Sequence, residues 1–149
     1  MNHRILENIS INAAPSAVWH ALTRPELMVQ WMGAPEMQLK VDTSWIIGTP
    51  VSISGFHHVR FENKGTVLHF DPEQRLSYSH WSSVSRLADD PENYSILEFR
   101  LMPEAEQTLV TLTIDHFPTE TIFKHLQFYW RTTMVMIKKF VEQPTALVE

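Results

Sequence analysis

Histidine has the widest chemical range of the side chains in this sequence, and the chain has eight of them. Metal sites and acid–base pairs need spacings that bring ring nitrogens together, for example four residues apart on a helix. His57 and His58 are adjacent, so on a strand they would point to opposite faces. His69 and His80 lie on strands that we expect to pair, so these two side chains could approach each other. Because isolated histidines mostly serve packing or solvent contacts, we predict no metal site and no cofactor.

Other catalytic and binding signatures are absent from the sequence. No serine lies in a Gly-x-Ser-x-Gly elbow, and the four glycines are too far apart to form a phosphate loop. There is no cysteine, which excludes disulfides, thiol catalysis and iron–sulfur clusters and agrees with a reducing compartment. The net charge of −5 comes without any basic cluster, so we expect no nucleic-acid partner.

Length and composition indicate one globular domain over residues 1–149. Apolar residues make up 44% of the chain and charged residues 19%, which is typical of a protein with a packed core. The start of the chain lacks the apolar stretch of a signal peptide, and no apolar run approaches the ~20 residues that span a bilayer. We therefore expect a cytoplasmic protein with no membrane span.

The first third of the chain predicts one strand and two short helices. Residues 4–11 place isoleucines on one parity, which favours a strand. Pro15 is suited to the first turn of a helix, where its missing N–H costs nothing. Thr23, with Glu26 three residues on, predicts a capped start for the second helix.

Alternation of apolar and polar residues over positions 37–115 predicts five or six strands of an antiparallel sheet, with one packed and one wet face. The first of these strands would hold Met37, Leu39 and Val41 on one face. Residues 63–65, Asn-Lys-Gly, are expected to form a turn between two of the strands. Residues 82–93 form a polar loop within the domain.

A long amphipathic helix is predicted at the end of the chain, from about Glu120 to Val141. Thr119 would cap its start, and Pro144 would close it. Apolar residues recur there at three- and four-residue steps and form one stripe, which must bury against the sheet: Phe123, Leu126, Trp130, Met134, Ile137 and Val141.

Three stretches carry a resemblance to a known family. These are residues 11–23, residues 65–78, and residues 117–140 with their Phe-Pro-Thr-Glu start. Their order and spacing resemble the START-like (SRPBCC) superfamily, and the last helix is similar to that of its AHSA1-like branch, named for the C-terminal domain of an activator of the Hsp90 ATPase. The resemblance implies an α+β helix-grip fold, in which a curved antiparallel sheet wraps around the long C-terminal helix and two short helices follow the first strand.

The resemblance also implies a mostly apolar cavity between the sheet and the last helix. Members of the superfamily bind lipids, polyketides or other hydrophobic molecules there, so we predict non-catalytic binding of a small hydrophobic or amphipathic ligand. Aromatic side chains and methionine suit such a wall, since Trp and Tyr carry a polar tip and Met adapts to irregular shapes. Many relatives carry a histidine where this chain has Ile114. The candidate cavity residues are Tyr78, His80, Phe99, Ile114, Trp130 and Met134.

Two other functions remain open at this point. A cyclase- or dehydratase-like enzyme would need an acid–base pair in the cavity, and strand parity puts Tyr78 and His80 on one face, with Asp115 as another partner for His80. A chaperone-regulating interaction module would show an exposed apolar patch. A chaperone partner is not expected, because the Hsp90 activator has a separate N-terminal domain for which this chain has no room. A homodimer is left open, and residues 82–93 are a candidate gate for the cavity.

Overall fold

A computed structural model describes residues 3–143 of the chain. The helices and strands of this region run in the order β1 (Ile5–Ile11), α1 (Pro15–Thr23), α2 (Pro25–Met32), β2 (Lys40–Thr43), β3 (Pro50–His57), β4 (Val59–Asp71), β5 (Arg75–Ser82), β6 (Ser95–Glu104), β7 (Gln107–Asp115) and α3 (Glu120–Val141). Short 3-10 turns lie at Pro35–Met37, Ser83–Ser85 and Pro91–Asn93.

Within residues 3–143, seven strands form one antiparallel sheet in the spatial order β1-β7-β6-β5-β4-β3-β2. The first strand returns to pair with the last along its whole length, from Ile5 opposite Ile114 to Ile11 opposite Thr108. The curved sheet wraps around α3, and α1 and α2 follow β1. The predicted α+β helix-grip fold is confirmed.

The long helix α3 forms as its sequence pattern predicts. The Thr119 hydroxyl accepts a hydrogen bond from the Ile122 N–H at 3.1 Å and so caps the first turn. Five of the six predicted stripe residues are buried, and Phe123 is half-buried against the core. Pro144, the predicted stop, lies outside the described residues.

The boundary between α1 and α2 differs from the prediction. Arg24, not Thr23, occupies the N-cap position of α2, with φ −83° and ψ 119°. The residue before a proline avoids the helical region, so Pro25 forces Arg24 to be extended and ends α1 there. The Thr23 hydroxyl instead donates to the Trp19 carbonyl at 2.7 Å, inside α1.

The β3–β4 hairpin corrects the predicted turn at residues 63–65. These residues lie in the middle of β4, where Asn63 pairs with Ile53 and Gly65 with Val51. The chain turns instead at His58, whose φ of +66° lies in the left-handed region. As a result His57 ends β3 and His58 lies at the hairpin tip, with their ring centroids 4.6 Å apart.

The strand predicted from Met37 begins only at Lys40. Pro35 starts a 3-10 turn, because it fixes its own φ and suits a first helical position. Gln38 then leaves the turn with φ +50°. Met37 and Leu39 therefore approach the sheet from a loop, which places them over the inner face of β3.

Candidate functional site

The concave face of the sheet is set by the register of β3, β4 and β5. Gly55 lies opposite Phe61, Ile53 opposite Asn63, and Val67 opposite Tyr78. Since side chains alternate along a strand, Phe61, Asn63 and Val67 point to the same face. Val67 and Tyr78 are buried, so this is the face toward the core.

Gly65 lets β4 and β5 approach closely at the centre of this face. A Cβ atom at Gly65 would overlap the backbone carbonyl of Ser79. The register between β4 and β5 shifts just beyond it, between Val67 and His69, and the Ser79 hydroxyl accepts the Thr66 N–H at 2.9 Å. A bulge of this kind bends the strand and re-aims its side chains.

A surface groove of about 840 Å³, hereafter the outer groove, opens beside the β3–β4 hairpin. Its lining comes from both faces of the hairpin: Gly55 and Phe61 belong to the inner face, whereas Ser54, Phe56, Arg60 and Glu62 alternate with them and belong to the outer face. The 3-10 turn at Met37 also lines the groove. The lining mixes apolar side chains with charges of both signs: Glu36, Met37, Gln38, Lys40, Ser54, Gly55, Phe56, Arg60, Phe61, Glu62 and Ser83.

A second, narrower space of about 160 Å³, hereafter the inner gap, lies further along the same face. It is lined by Val51, Ile53, Asn63, Lys64, Gly65, Tyr78, Ser79 and His80, and it is too narrow to hold a water molecule. Gly55 and Phe61, which line the groove, face each other across β3 and β4. Two residues further along each strand, Ile53 and Asn63 face each other in the same way and line the gap. On the inner face, the inner gap is therefore next to Gly55 and Phe61, the strand residues that the outer groove takes from that face.

Asn63 carries an unpaired polar atom at the inner gap. Its Oδ1 is buried and has no hydrogen-bond partner among residues 3–143. An unsatisfied buried acceptor costs about 1–3 kcal/mol, and native proteins have few of them. The Oδ1 atom of Asn63 is thus a buried acceptor on this face that is free to accept a hydrogen bond from a ligand.

Two of the three titratable side chains at the inner gap, Tyr78 and His80, are neutral at pH 7. Burial is the main cause that lowers the pKa of His80 to about 4, and the nearby His125 of α3 is the second. Burial also raises the pKa of Tyr78 far above its ordinary value, with Tyr129 of α3 as the second cause. Tyr78 is therefore a hydrogen-bond donor and acceptor here, and His80 an uncharged imidazole.

The six predicted cavity residues all lie on elements that face the interior. Two of them, Tyr78 and His80, line the inner gap. Phe99 and Trp130 pack against each other with ring centroids 5.6 Å apart, and Ile114 and Met134 are buried in the same core. Contact of these six residues with a ligand remains a prediction.

The acid–base partners considered for His80 lie elsewhere. Asp115 follows the buried Ile114 on β7, so it points to the outer face, where Arg4 holds it at 2.8 Å. His69 pairs with Ser77, whose side chain lies on the face opposite to Tyr78 and His80. His80 and His69 therefore do not approach each other.

The loop after β5 is anchored to the outer face of the sheet. Asp89 forms an ion pair with Lys64 at 2.5 Å, and the Tyr94 hydroxyl donates to the same carboxylate. The Lys64 ammonium also lies over the ring of Trp81, 5.5 Å from its centroid. Since Lys64 and Trp81 point away from the concave face, these contacts do not support the gating role expected of residues 82–93.

Met37, Phe56 and Phe61 line the outer groove and Asn63 lines the inner gap, and none of the four was among the predicted cavity residues. Asn63 was assigned to a turn because Asn-Lys-Gly is a strong turn sequence. The alternation of Phe61, Asn63, Gly65 and Val67 with charged or polar neighbours is the signal that contradicts a turn.

No three His, Asp or Glu side chains among residues 3–143 lie close enough together to hold a metal ion. Of the helices in that region, none combines the length and apolar character needed to cross a membrane.

Several solved structures share this architecture. ChR145 from Cytophaga hutchinsonii is 31% identical, with a TM-score of 0.79 over 97% of both chains. CalU16 from Micromonospora echinospora is 21% identical, with a TM-score of 0.70 over 98% of this chain and 80% of its own. The Aha1 dimer from Colwellia psychrerythraea is 19% identical, with a TM-score of 0.74 over 94% of this chain and 96% of its own. The last two show likeness of fold alone.

Sequence comparison gives the family. No protein of curated function matches the chain. Residues 12–142 match the sequence model of the family described as activator of Hsp90 ATPase homolog 1-like protein. This span runs from the end of β1 through α3 and includes every residue of the outer groove and inner gap. The chain therefore belongs to the AHSA1 family of activator of Hsp90 ATPase homolog 1-like proteins, within the START-like (SRPBCC) superfamily.

Proposed function

We propose that the protein binds a small hydrophobic or amphipathic molecule, without catalysis, in the outer groove and the adjoining inner gap. The observation that carries this proposal is the groove of about 840 Å³ beside the β3–β4 hairpin, whose inner-face residues Gly55 and Phe61 are next to the pair Ile53 and Asn63 of the inner gap. Its volume lies within the ~300–1,000 Å³ of typical small-molecule sites.

The chemistry of the groove favours an amphipathic ligand. Met37, Phe56 and Phe61 offer apolar contact, and burial of apolar surface is the main source of affinity for such molecules. Charged side chains of both signs line the same groove, namely Lys40 and Arg60 with Glu36 and Glu62. They can contact a polar end of the ligand.

Catalysis is the weaker alternative. General acid–base work needs a second titratable group within hydrogen-bond reach of the first or of the substrate. The inner gap offers His80 and Tyr78, which are both uncharged at pH 7 because the pKa of His80 is lowered and that of Tyr78 is raised. The carboxylate of Asp115 is on the other face of the sheet. Binding alone needs no such pair.

Titration with the apolar dye Nile red tests the site. Phe56 lines the groove and is 48% exposed, so Phe56→Glu should weaken dye binding by about tenfold or more with little effect on folding. Val59 is 54% exposed on the same hairpin and does not line the groove, so Val59→Glu is the matched control. Failure of the wild-type protein to bind the dye, or equal losses in both variants, would contradict the proposal.

A thermal-shift screen then defines the ligand class. Fatty acids, sterols and aromatic polyketides cover the hydrophobic molecules that suit a cavity of this kind. A molecule that binds only the folded state raises the melting temperature in proportion to the logarithm of its concentration. A true ligand should lose this effect in Phe56→Glu and keep it in Val59→Glu.

A protein-interaction surface on α3 is a second candidate, because apolar side chains are exposed on the outer side of this helix. Phe128 is 74% exposed, and Val135 and Met136 follow at seven and eight residues, which places all three on one side. The similar Colwellia protein is a dimer, which makes a second copy of this chain the first partner to test. Light scattering should show a dimer that Phe128→Glu converts to a monomer; a monomeric wild type would exclude this use of α3.

A further inference from the structure

We propose that the inner gap is a hydrogen-bonding pocket for a neutral hydroxyl group, so that the protein prefers ligands ending in a phenol or alcohol to those ending in a carboxylate. This inference rests on the proposed function, because it names the chemistry of the ligand end that enters first. It is carried by Asn63 and Tyr78, which border the same gap.

The hydrogen-bonding groups at the gap match a hydroxyl. The buried Oδ1 of Asn63 has no partner among residues 3–143 and can accept the ligand O–H. The Tyr78 hydroxyl can donate to the ligand oxygen. A hydroxyl both donates and accepts, so one ligand group can satisfy both side chains, whereas an apolar end would leave the Asn63 acceptor unpaired.

The charges around the gap disfavour a carboxylate. Lys64 borders the gap, but its ammonium group is paired with Asp89 on the outer face of the sheet. His80 is neutral, since burial and His125 lower its pKa to about 4. A buried carboxylate without a cation pays a large desolvation cost, whereas a neutral hydroxyl needs only its hydrogen bonds.

The geometry also sets the direction of entry. Phe61 in the outer groove is two residues from Asn63 on the same face of β4, a separation of about 7 Å. One aromatic ring with a short alkyl chain spans that distance, so the hydroxyl of a 4-alkylphenol reaches Asn63 while its ring and alkyl chain extend toward Phe61. The gap is too narrow for a water molecule when empty, so the ligand has to widen it, and the new hydrogen bond to Asn63 offsets part of that cost.

Displacement of bound Nile red by three matched compounds tests this inference: 4-propylphenol, propylbenzene and 4-propylbenzoate. We expect the phenol to bind about tenfold more tightly than either of the others. In Asn63→Leu and in Tyr78→Phe the preference for the phenol over propylbenzene should fall to less than about threefold. Thermal melting of each variant confirms that it is folded.

Tyr94→Phe is the matched control, because it removes the same hydroxyl from a tyrosine whose partner is Asp89 in the loop after β5. It should leave the preference unchanged. If the benzoate binds as tightly as the phenol, or if Asn63→Leu and Tyr78→Phe keep the full preference, the inference is wrong while the proposed function stands. If Nile red itself does not bind, the proposed function fails and this inference fails with it.

Discussion

The ring of Trp130 on α3 meets the ring of Phe99 on β6 edge-on, with centroids 5.6 Å apart and planes at 71°. Trp31 of α2 lies on another side of Trp130 at 6.3 Å, and its indole N–H donates to the Ala21 carbonyl at 2.8 Å. These aromatic side chains fill the space between the long helix and the centre of the sheet. Open volume is left on the side of the β3–β4 hairpin, where the outer groove lies.

Truncation of Trp130 should therefore act on stability. Trp130 is 5% exposed and contacts rings from two other elements, so Trp130→Ala removes packing and leaves a cavity. We expect the free energy of unfolding to fall by about 3–5 kcal/mol, measured by urea denaturation.

Phe128 supplies the control on the same helix. Its exposed side chain packs on nothing in the core, so at protein concentrations where the chain is monomeric Phe128→Ala should change the free energy of unfolding by less than about 0.5 kcal/mol. A Trp130→Ala variant as stable as wild type would place Trp130 outside the core.

His80 should make the protein less stable as the pH falls from about 6.5 to about 4. Burial lowers its pKa in the folded state to about 4, against about 6.5 in an unfolded chain, so over this range the unfolded state binds the extra proton. The stability is fully present above pH 6.5, is lost progressively toward pH 4, and changes no further below it. Because His80 is half-buried, the loss should be at most ~3 kcal/mol.

Comparison with His80→Gln isolates this effect from the other histidines. The difference in unfolding free energy between wild type and variant should shift in favour of the variant between pH 7 and pH 4. His125→Gln, which removes the partner on α3, should raise the pKa of His80 measured by NMR. A constant difference across this range would show that His80 titrates alike in both states.

Gly65→Ala should be severely destabilising. The added Cβ would overlap the Ser79 carbonyl of the neighbouring strand, and backbone cannot move aside as a flexible side chain can. We expect a loss of more than about 3 kcal/mol in unfolding free energy. Gly48→Ala is the contrast: its φ of +90° is strained for alanine, but the space around it is open, so its cost should be about 1 kcal/mol. Similar costs at the two positions would contradict the close approach of β4 and β5.

Local patterns predicted the elements well where a single signal decides them. The apolar stripe and Thr119 predicted α3, and strict alternation predicted β6 and β7. Thr23 misled because two signals compete there: a threonine favours an N-cap, but the proline two residues on makes Arg24 extended and moves the cap by one residue.

The site was harder to predict than the fold. Large side chains from α2, α3 and β6 together fill the space beneath α3, and their combined volume decides whether a cavity remains. A local sequence pattern describes one element at a time and cannot predict this combined volume. From the sequence alone, Trp130, Met134 and Phe99 fit a cavity wall as well as they fit a packed core. Asn63 was missed for a different reason: a turn sequence was overridden by cross-strand pairing with Ile53.

The anchor of the loop after β5 should be Asp89. Hydrogen bonds from Lys64 and then from Tyr94 hold the pKa of Asp89 below its ordinary value, so the carboxylate is ionised at neutral pH. Asp89→Ala removes the acceptor of both contacts. Backbone amides of residues 84–93 should then exchange with solvent faster in a hydrogen–deuterium experiment, while amides of β6 and β7 keep their protection. Asp90→Ala changes the neighbouring exposed carboxylate and should leave the exchange of this loop as in wild type. If both variants exchange alike, the loop is held by its other contacts, such as the Leu87 carbonyl that accepts the Trp81 indole N–H at 3.3 Å.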